Sequence, residues 1–117
     1  MPESADAEMD RLRNRIRALS EKLSDIDFVL HGSVTKHYMK CGHAGCRCMS
    51  EPPALHGPYH DWTRRVDGKT VTVRLTEAQA GIIQAWIQNM RRMEGIVSEM
   101  EKLTLKADSG IHACDNL

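Results

Sequence analysis

Aromatic side chains are scarce in this sequence: two Trp, two Tyr and one Phe are only 4% of 117 residues. Stacked rings therefore cannot supply the core. With 41% hydrophobic residues, seven Met among them, the composition suits aliphatic packing between helices. Long apolar runs are missing too, and none approaches the ~18 to 20 residues of a membrane span. The opening stretch MPESADAEMDRLR is acidic and polar rather than an apolar leader, so the expected setting is cytoplasmic, where thiols stay reduced. No nucleophile–base constellation, phosphate-binding loop, carboxylate pair or H-E-x-x-H run occurs, and the chain is expected not to be an enzyme.

Neither sign of charge is in excess, since 16 Lys and Arg balance 16 Asp and Glu. The balance hides a segregation. Residues 33–75 hold seven basic against three acidic residues, together with four His, whereas the segments on either side are each mildly acidic. A basic middle permits an anionic partner without requiring one.

At this length one domain is expected, divided as a helix over 1–32, a central module over 33–75, a long helix over 76–107 and a flexible tail over 108–117. Met9, Leu12, Ile16, Leu19, Leu23 and Ile26 are spaced 3-4-3-4-3, an a/d seam that predicts a helix from about Ala7 to Leu30, ending near Gly32. Arg11/Arg15 and Arg13/Arg17 form i,i+4 pairs beside that seam. Thr76 and Gln79 have capping-box spacing. Beyond them Ile82, Trp86, Met90, Met93, Val97 and Met100 form a stripe that Ile83, Ile87, Ile96 and Leu103 widen, predicting a helix from 77 to about 106. Gly95 in its middle marks either a close helix crossing or a weak point. Such a helix is too long for a small globule to bury. It is expected to pair with the first helix as a hairpin, or as a coiled coil in a homodimer.

Between the helices, Asp67-Gly68 joins two strand-like runs, the strongest short hairpin signal. A two-residue turn pairs Val66 with Lys69, Arg64 with Val71, Trp62 with Val73 and His60 with Leu75 on a mostly apolar face. The other face pairs Arg65 with Thr70, Thr63 with Thr72 and Asp61 with Arg74, and a one-residue slip would destroy the sorting. Ser33–Met39 alternates more weakly and offers a third strand. The fold class is therefore α+β, with an N-terminal helix, a zinc knuckle carrying a β-hairpin or small antiparallel three-stranded sheet, and a long C-terminal helix.

Three of four cysteines, Cys41, Cys46 and Cys48, fall within eight residues, followed by His56. Gly42, Gly45 and Gly57 let the backbone turn tightly, and Pro52, Pro53 and Pro58 stiffen it. Three thiolates and an imidazole form a standard tetrahedral zinc set. His43 and His60 are alternative fourth ligands, and a Cys41–Cys46 redox pair or a metal-free loop are the competing readings. Cys114 is a stray thiol.

These residues carry a resemblance. The runs GSVTKHYMKCGHAGCRC and HGPYHDWTRRVDGKTVTVRLT resemble a small uncharacterised prokaryotic domain family with the pattern C-G-x3-C-x-C, then H-G-P-Y, then G-K-T. The likeness spans about residues 31–105 and leaves the N-terminal seam outside. It implies an accessory protein encoded near transposases and other mobile elements, with His56 as the fourth ligand, and it implies no assigned activity.

Two functions follow as expectations. One is nucleic-acid binding, DNA foremost, by a β-ribbon whose cations are Lys36, Lys40, Arg47, Arg64, Arg65, Lys69 and Arg74. The other is a protein-binding adaptor or inhibitor that docks its Met-rich helices on a larger nucleic-acid-processing enzyme.

Overall fold

The computed structural model describes residues 5–115, with side chains from 6 to 111. Two helices, α1 (Ala5–Lys22) and α2 (Glu77–Asp115), flank three strands, β1 (Ser33–Met39), β2 (His56–Val66) and β3 (Lys69–Leu75). The chain forms two compact units. One joins the segment ending at Phe28 to the segment beginning at Asn89; the other is Val29–Gln88.

In the second unit the sheet is antiparallel with order β1-β2-β3. All seven cross-strand pairs expected of the hairpin are present, from Val66 opposite Lys69 to His60 opposite Leu75. Asp67 and Gly68 both have positive φ, 51° and 80°, the twist that a two-residue turn needs to match right-handed strands. The Thr63 and Thr72 hydroxyls meet at 3.2 Å, and Arg74 Nε donates to Asp61 Oδ1 at 3.2 Å. β1 pairs along the other side of β2, Ser33 opposite Thr63 through His37 opposite Tyr59. The ladder then slips, so that Met39 faces His56. Two steps on β1 thus match three on β2, a bulge placed where Pro58 has no N–H to donate.

The apolar sheet face is less buried than alternation implies. Trp62 is enclosed, while Val66 and Val73 are each 40% exposed. Trp62 is fixed by its Nε1–H, which donates to the His31 carbonyl at 3.1 Å. Gly32 makes room for the indole: a Cβ there would overlap Trp62 Nε1 and come within 2.6 Å of the Thr63 carbonyl oxygen, at a φ of 125°. Ala80 and Ile87 supply the buried helical positions of this unit. α2 starts as its capping box demands: Gln79 N–H donates to Thr76 Oγ1 at 3.1 Å, and Thr76 N–H donates to Gln79 Oε1 at 2.9 Å.

In the first unit, α1 and the distal part of α2 run antiparallel. Met9 and Ile16 line a groove with Thr104 and Ala107, and Leu19 lies by Glu99 and Leu103. Leu12, Ile96 and Leu103 are its buried residues, and the rest of the a/d seam of α1 is half-buried. The stripe expected on α2 is displaced: Val97 is 48% exposed and Ile96 is buried in its place. Periodicity locates an apolar arc, but the partner helix selects which edge of the arc is covered. A Cβ on Gly95 would meet nothing within 4 Å, so no close crossing occurs there.

Both helix ends depart from expectation. α1 stops at Lys22 and tightens into a 3-10 turn over Leu23–Asp25, instead of reaching Leu30. Polar side chains compete for the backbone there: Ser24 Oγ donates to the Glu21 carbonyl, and Asp27 Oδ1 accepts the Phe28 N–H. Asn89 fastens the exit, donating to Asp27 Oδ1 at 3.0 Å and to the Phe28 carbonyl at 2.9 Å. α2 continues past 106 to Asp115, through much of the expected tail. No proline interrupts it, and Ser109 Oγ bonds back to the Leu105 carbonyl as helical serines do. Cys114 and residues 116–117 fall outside the described side chains.

Candidate metal centre

The sixteen residues between Met39 and His56 join β1 to β2. Antiparallel pairing sets both ends of this loop side by side, so Cys41, two residues past Met39, emerges next to His56. The loop folds back through local bonds. Cys46 N–H donates to the His43 carbonyl, Met49 N–H to Cys46, and both Ser50 and Ala54 N–H to Arg47. A 3-10 turn over Arg47–Met49 carries Cys48 inward, where it is fully buried.

Four ligand atoms converge, the sulfurs of Cys41, Cys46 and Cys48 and a ring nitrogen of His56, all within 4.8 Å of one another. Cys41 Sγ and Cys48 Sγ are 3.6 Å apart, and Cys46 Sγ lies 3.0 Å from His56 Nε2. Bonds of ~2.3 Å to sulfur and ~2.0 Å to nitrogen give tetrahedron edges of about 3.8 and 3.6 Å, so the cluster fits one small metal ion with slight expansion on the histidine side. The Cys46 thiol is pulled down to about 6, first by the backbone N–H of Cys48, then by the Cys48 and Cys41 sulfurs, with His56 adding to it against the effect of burial. At neutral pH it is largely thiolate, the metal-binding form. At Cys48 the backbone N–H of Cys41 acts downward, but burial and the neighbouring sulfurs outweigh it and the thiol is pushed up.

The alternatives for the fourth ligand are placed elsewhere. His43 is exposed in the turn, and its carbonyl serves Cys46. His60 stands opposite Leu75, with its buried Nε2 making no hydrogen bond. Gly57 permits the approach of His56. With φ at 132°, a Cβ there would lie 2.9 Å from the His37 carbonyl oxygen.

The seven cations of the central module do not share a surface. Arg65 and Arg74 belong to the polar sheet face, while Lys36, Arg64 and Lys69 have the opposite parity, and Lys40 and Arg47 lie in the loop. Arg64 is stacked on Trp62 with its guanidinium 4.2 Å from the ring centre. Arg74 is engaged three ways, on Asp61, over the Tyr59 ring at 4.2 Å and near Met39 sulfur at 3.9 Å. On the other side of Asp61, His37 Nε2 approaches Oδ2 at 3.5 Å, and the His37 and Tyr59 rings lie 5.9 Å apart. Sequence reasoning missed His37 and Tyr59. Their parity was visible, but only the β1–β2 register brings them to Asp61.

A family model matches residues 9–85. The chain belongs to the DUF6788 family, a domain of unknown function. The match takes in the α1 seam, which the resemblance read from the motifs had left outside, and it ends before the distal part of α2. Comparison with curated proteins and with solved structures finds no match. Among the described residues, no helix is long and apolar enough to cross a membrane.

Proposed function

We propose that this family member is a zinc-stabilised nucleic-acid-binding module, with duplex DNA its foremost substrate. The observation that carries the reading is the open polar face of the sheet, ending at the cysteine loop. Thr35, Thr70, Thr72 and Arg65 are exposed on it, and its carboxylate, Asp61, is held by Arg74 and His37. Such a face offers hydroxyl and guanidinium donors while its negative charge is already neutralised, which suits phosphate and groove edges. Arg65 is the central cation, with Lys40 and Arg47 reaching phosphate from the loop. Lys36 and Lys69 flank the sheet, Arg74 acts through Asp61, and Arg64 supports Trp62.

Zinc is the ion that best matches three thiolates and an imidazole. Four protein ligands close its coordination shell, so its contribution is structural: it cross-links the loop to the start of β2. An accessory of a mobile element or phage is the setting such a module suits. A gel-shift titration across salt tests the reading. Three phosphate contacts predict a log–log slope of about −3 on B-DNA. Arg65→Glu should weaken binding about tenfold or more and flatten that slope by about one. No shift on any duplex or single strand at low salt rules the reading out.

The adaptor reading has its own observation, since Ile82 of α2 is 53% exposed. It calls for capture of a nucleic-acid enzyme that Ile82→Glu abolishes, with no direct nucleic-acid shift.

A further inference from the structure

The helical unit has an open apolar face. Two helices side by side enclose no core, and each must bury its stripe against something further. On this face Met9, Leu12 and Ile16 of α1 and Thr104 and Ala107 of α2 line a groove of about 350 Å³, bordered by Arg13 and Arg17. Val97 and Ile111 lie seven residues to either side of Thr104, hence on the same edge of α2, and are 48% and 52% exposed. From Met90 to Ile111 the apolar-or-small positions 90, 93, 97, 100, 104, 107 and 111 keep strict 3-4 spacing. That is a three-heptad a/d repeat, the register of a helix with a facing partner. Packing on α1 instead buries Ile96 and Leu103, and leaves Val97, Thr104 and Ile111 at the open edge, with Met90 of the same row half-buried.

The charges beside the groove say what covers it. Glu94, Glu101 and Asp108 each follow a member of that row by four residues and therefore flank it along α2. Across the groove the corresponding border of α1 carries Arg13, paired within the helix to Asp10 at 3.0 Å, and Arg17 one turn on. One edge of the face is acidic, and the other presents the Arg17 guanidinium beyond the Asp10–Arg13 pair. A two-fold axis parallel to the helices sets α1 of each copy over α2 of the other, and each acidic edge then meets the Arg17 edge of its partner. The levels agree. Met9 is opposite Thr104 and Ala107, and Leu19 is opposite Glu99 and Leu103, so Arg17 lies near the level of Glu101.

The geometry points to a homodimer in which this face of the helix pair meets a second copy of itself, forming a four-helix bundle with Arg17 of one chain against Glu101 of the other. The interface is independent of the metal loop and of the sheet face, and half of it lies beyond the family match at residue 85. For a DNA-binding module it would bring two copies of the sheet into one assembly.

The test is sedimentation equilibrium of the full zinc-loaded chain in reducing buffer, with helicity followed by circular dichroism. The expected mass is twice the 13.2 kDa of one chain. Val97→Asp, with helicity unchanged, should weaken association by about 100-fold or more, because it buries a charge in an apolar seam. Arg17→Glu and Glu101→Arg should each weaken it by about tenfold, and the double variant R17E/E101R should return to within about threefold of the parent. A parent that stays monomeric at the highest soluble concentration overturns the proposal. So does a double variant no better than the singles, which would mean that α1 does not lie over α2 of the partner.

Discussion

Withdrawal of the zinc proposed for the Cys41, Cys46, Cys48 and His56 cluster is the perturbation whose consequence can be worked out most fully. The loop of sixteen residues between Met39 and His56 buries one side chain, Cys48. Ordering its backbone costs about 16 kcal/mol at the lower figure of ~1 kcal/mol per residue. Its four backbone–backbone hydrogen bonds, the bond from the Cys41 N–H to Cys48 Sγ, and the Ser50 hydroxyl shared between the Arg47 and Pro52 carbonyls return about 6 kcal/mol at ~1 each. The shortfall is about 10 kcal/mol, at the lower end of the ~10 to 16 kcal/mol that a structural zinc ion supplies. Without the ion the loop should therefore be open, although the β2–β3 hairpin keeps its own turn and Trp62. Limited trypsinolysis reads this directly, because Lys40 and Arg47 are the loop's cleavage sites. With zinc both should resist. With a chelator, or in Cys48→Ala, both should be cut at rates approaching those of an unfolded peptide, before the bonds after Arg64 and Arg65. If Arg47 stays protected after chelation, with metal content shown to be zero, packing rather than the ion orders the loop and the reasoning fails.

Three other outcomes are expected. Gly32→Ala should destabilise the chain by about 3 kcal/mol or more in urea, combining a disfavoured positive φ with overlap against Trp62, whereas Gly95→Ala, pointing into open space, should stabilise it by a few tenths to ~1 kcal/mol. Asn89→Ala removes the two bonds to Asp27 and Phe28 and should cost about 1–2 kcal/mol, with faster amide exchange over Leu23–Phe28 as the local sign. Asp61→Asn releases Arg74 and removes a carboxylate from the polar face, so the salt slope of DNA binding should steepen by about one, and an unchanged slope would place DNA elsewhere.

Some features were legible because the physics behind them is local. An Asp-Gly turn between alternating runs has one register that sorts polar from apolar side chains, and every expected pair is present. The capping box needs only Thr76 and Gln79 at the right spacing, and its two bonds are made. Three cysteines within eight residues already have to be neighbours. The fourth ligand was open among His43, His56 and His60, since each lies within reach along the chain.

Choosing among them took the pairing of Met39 with His56, a contact between strands that no local pattern encodes. The fates of the arginines were hidden in the same way. Arg64 and Arg74 look alike as exposed strand cations, yet one covers Trp62 and the other is held by Asp61 and Tyr59, because neighbouring strands put those groups within reach. On α2 the periodicity drew an apolar arc broader than one helix can cover, and only the antiparallel seat of α1 decided that Ile96 is buried while Val97 faces outward. Spacing along the chain thus determined which elements form and how each turns. Which side chains meet depended on elements distant in sequence coming together, and that is a property of the folded molecule alone.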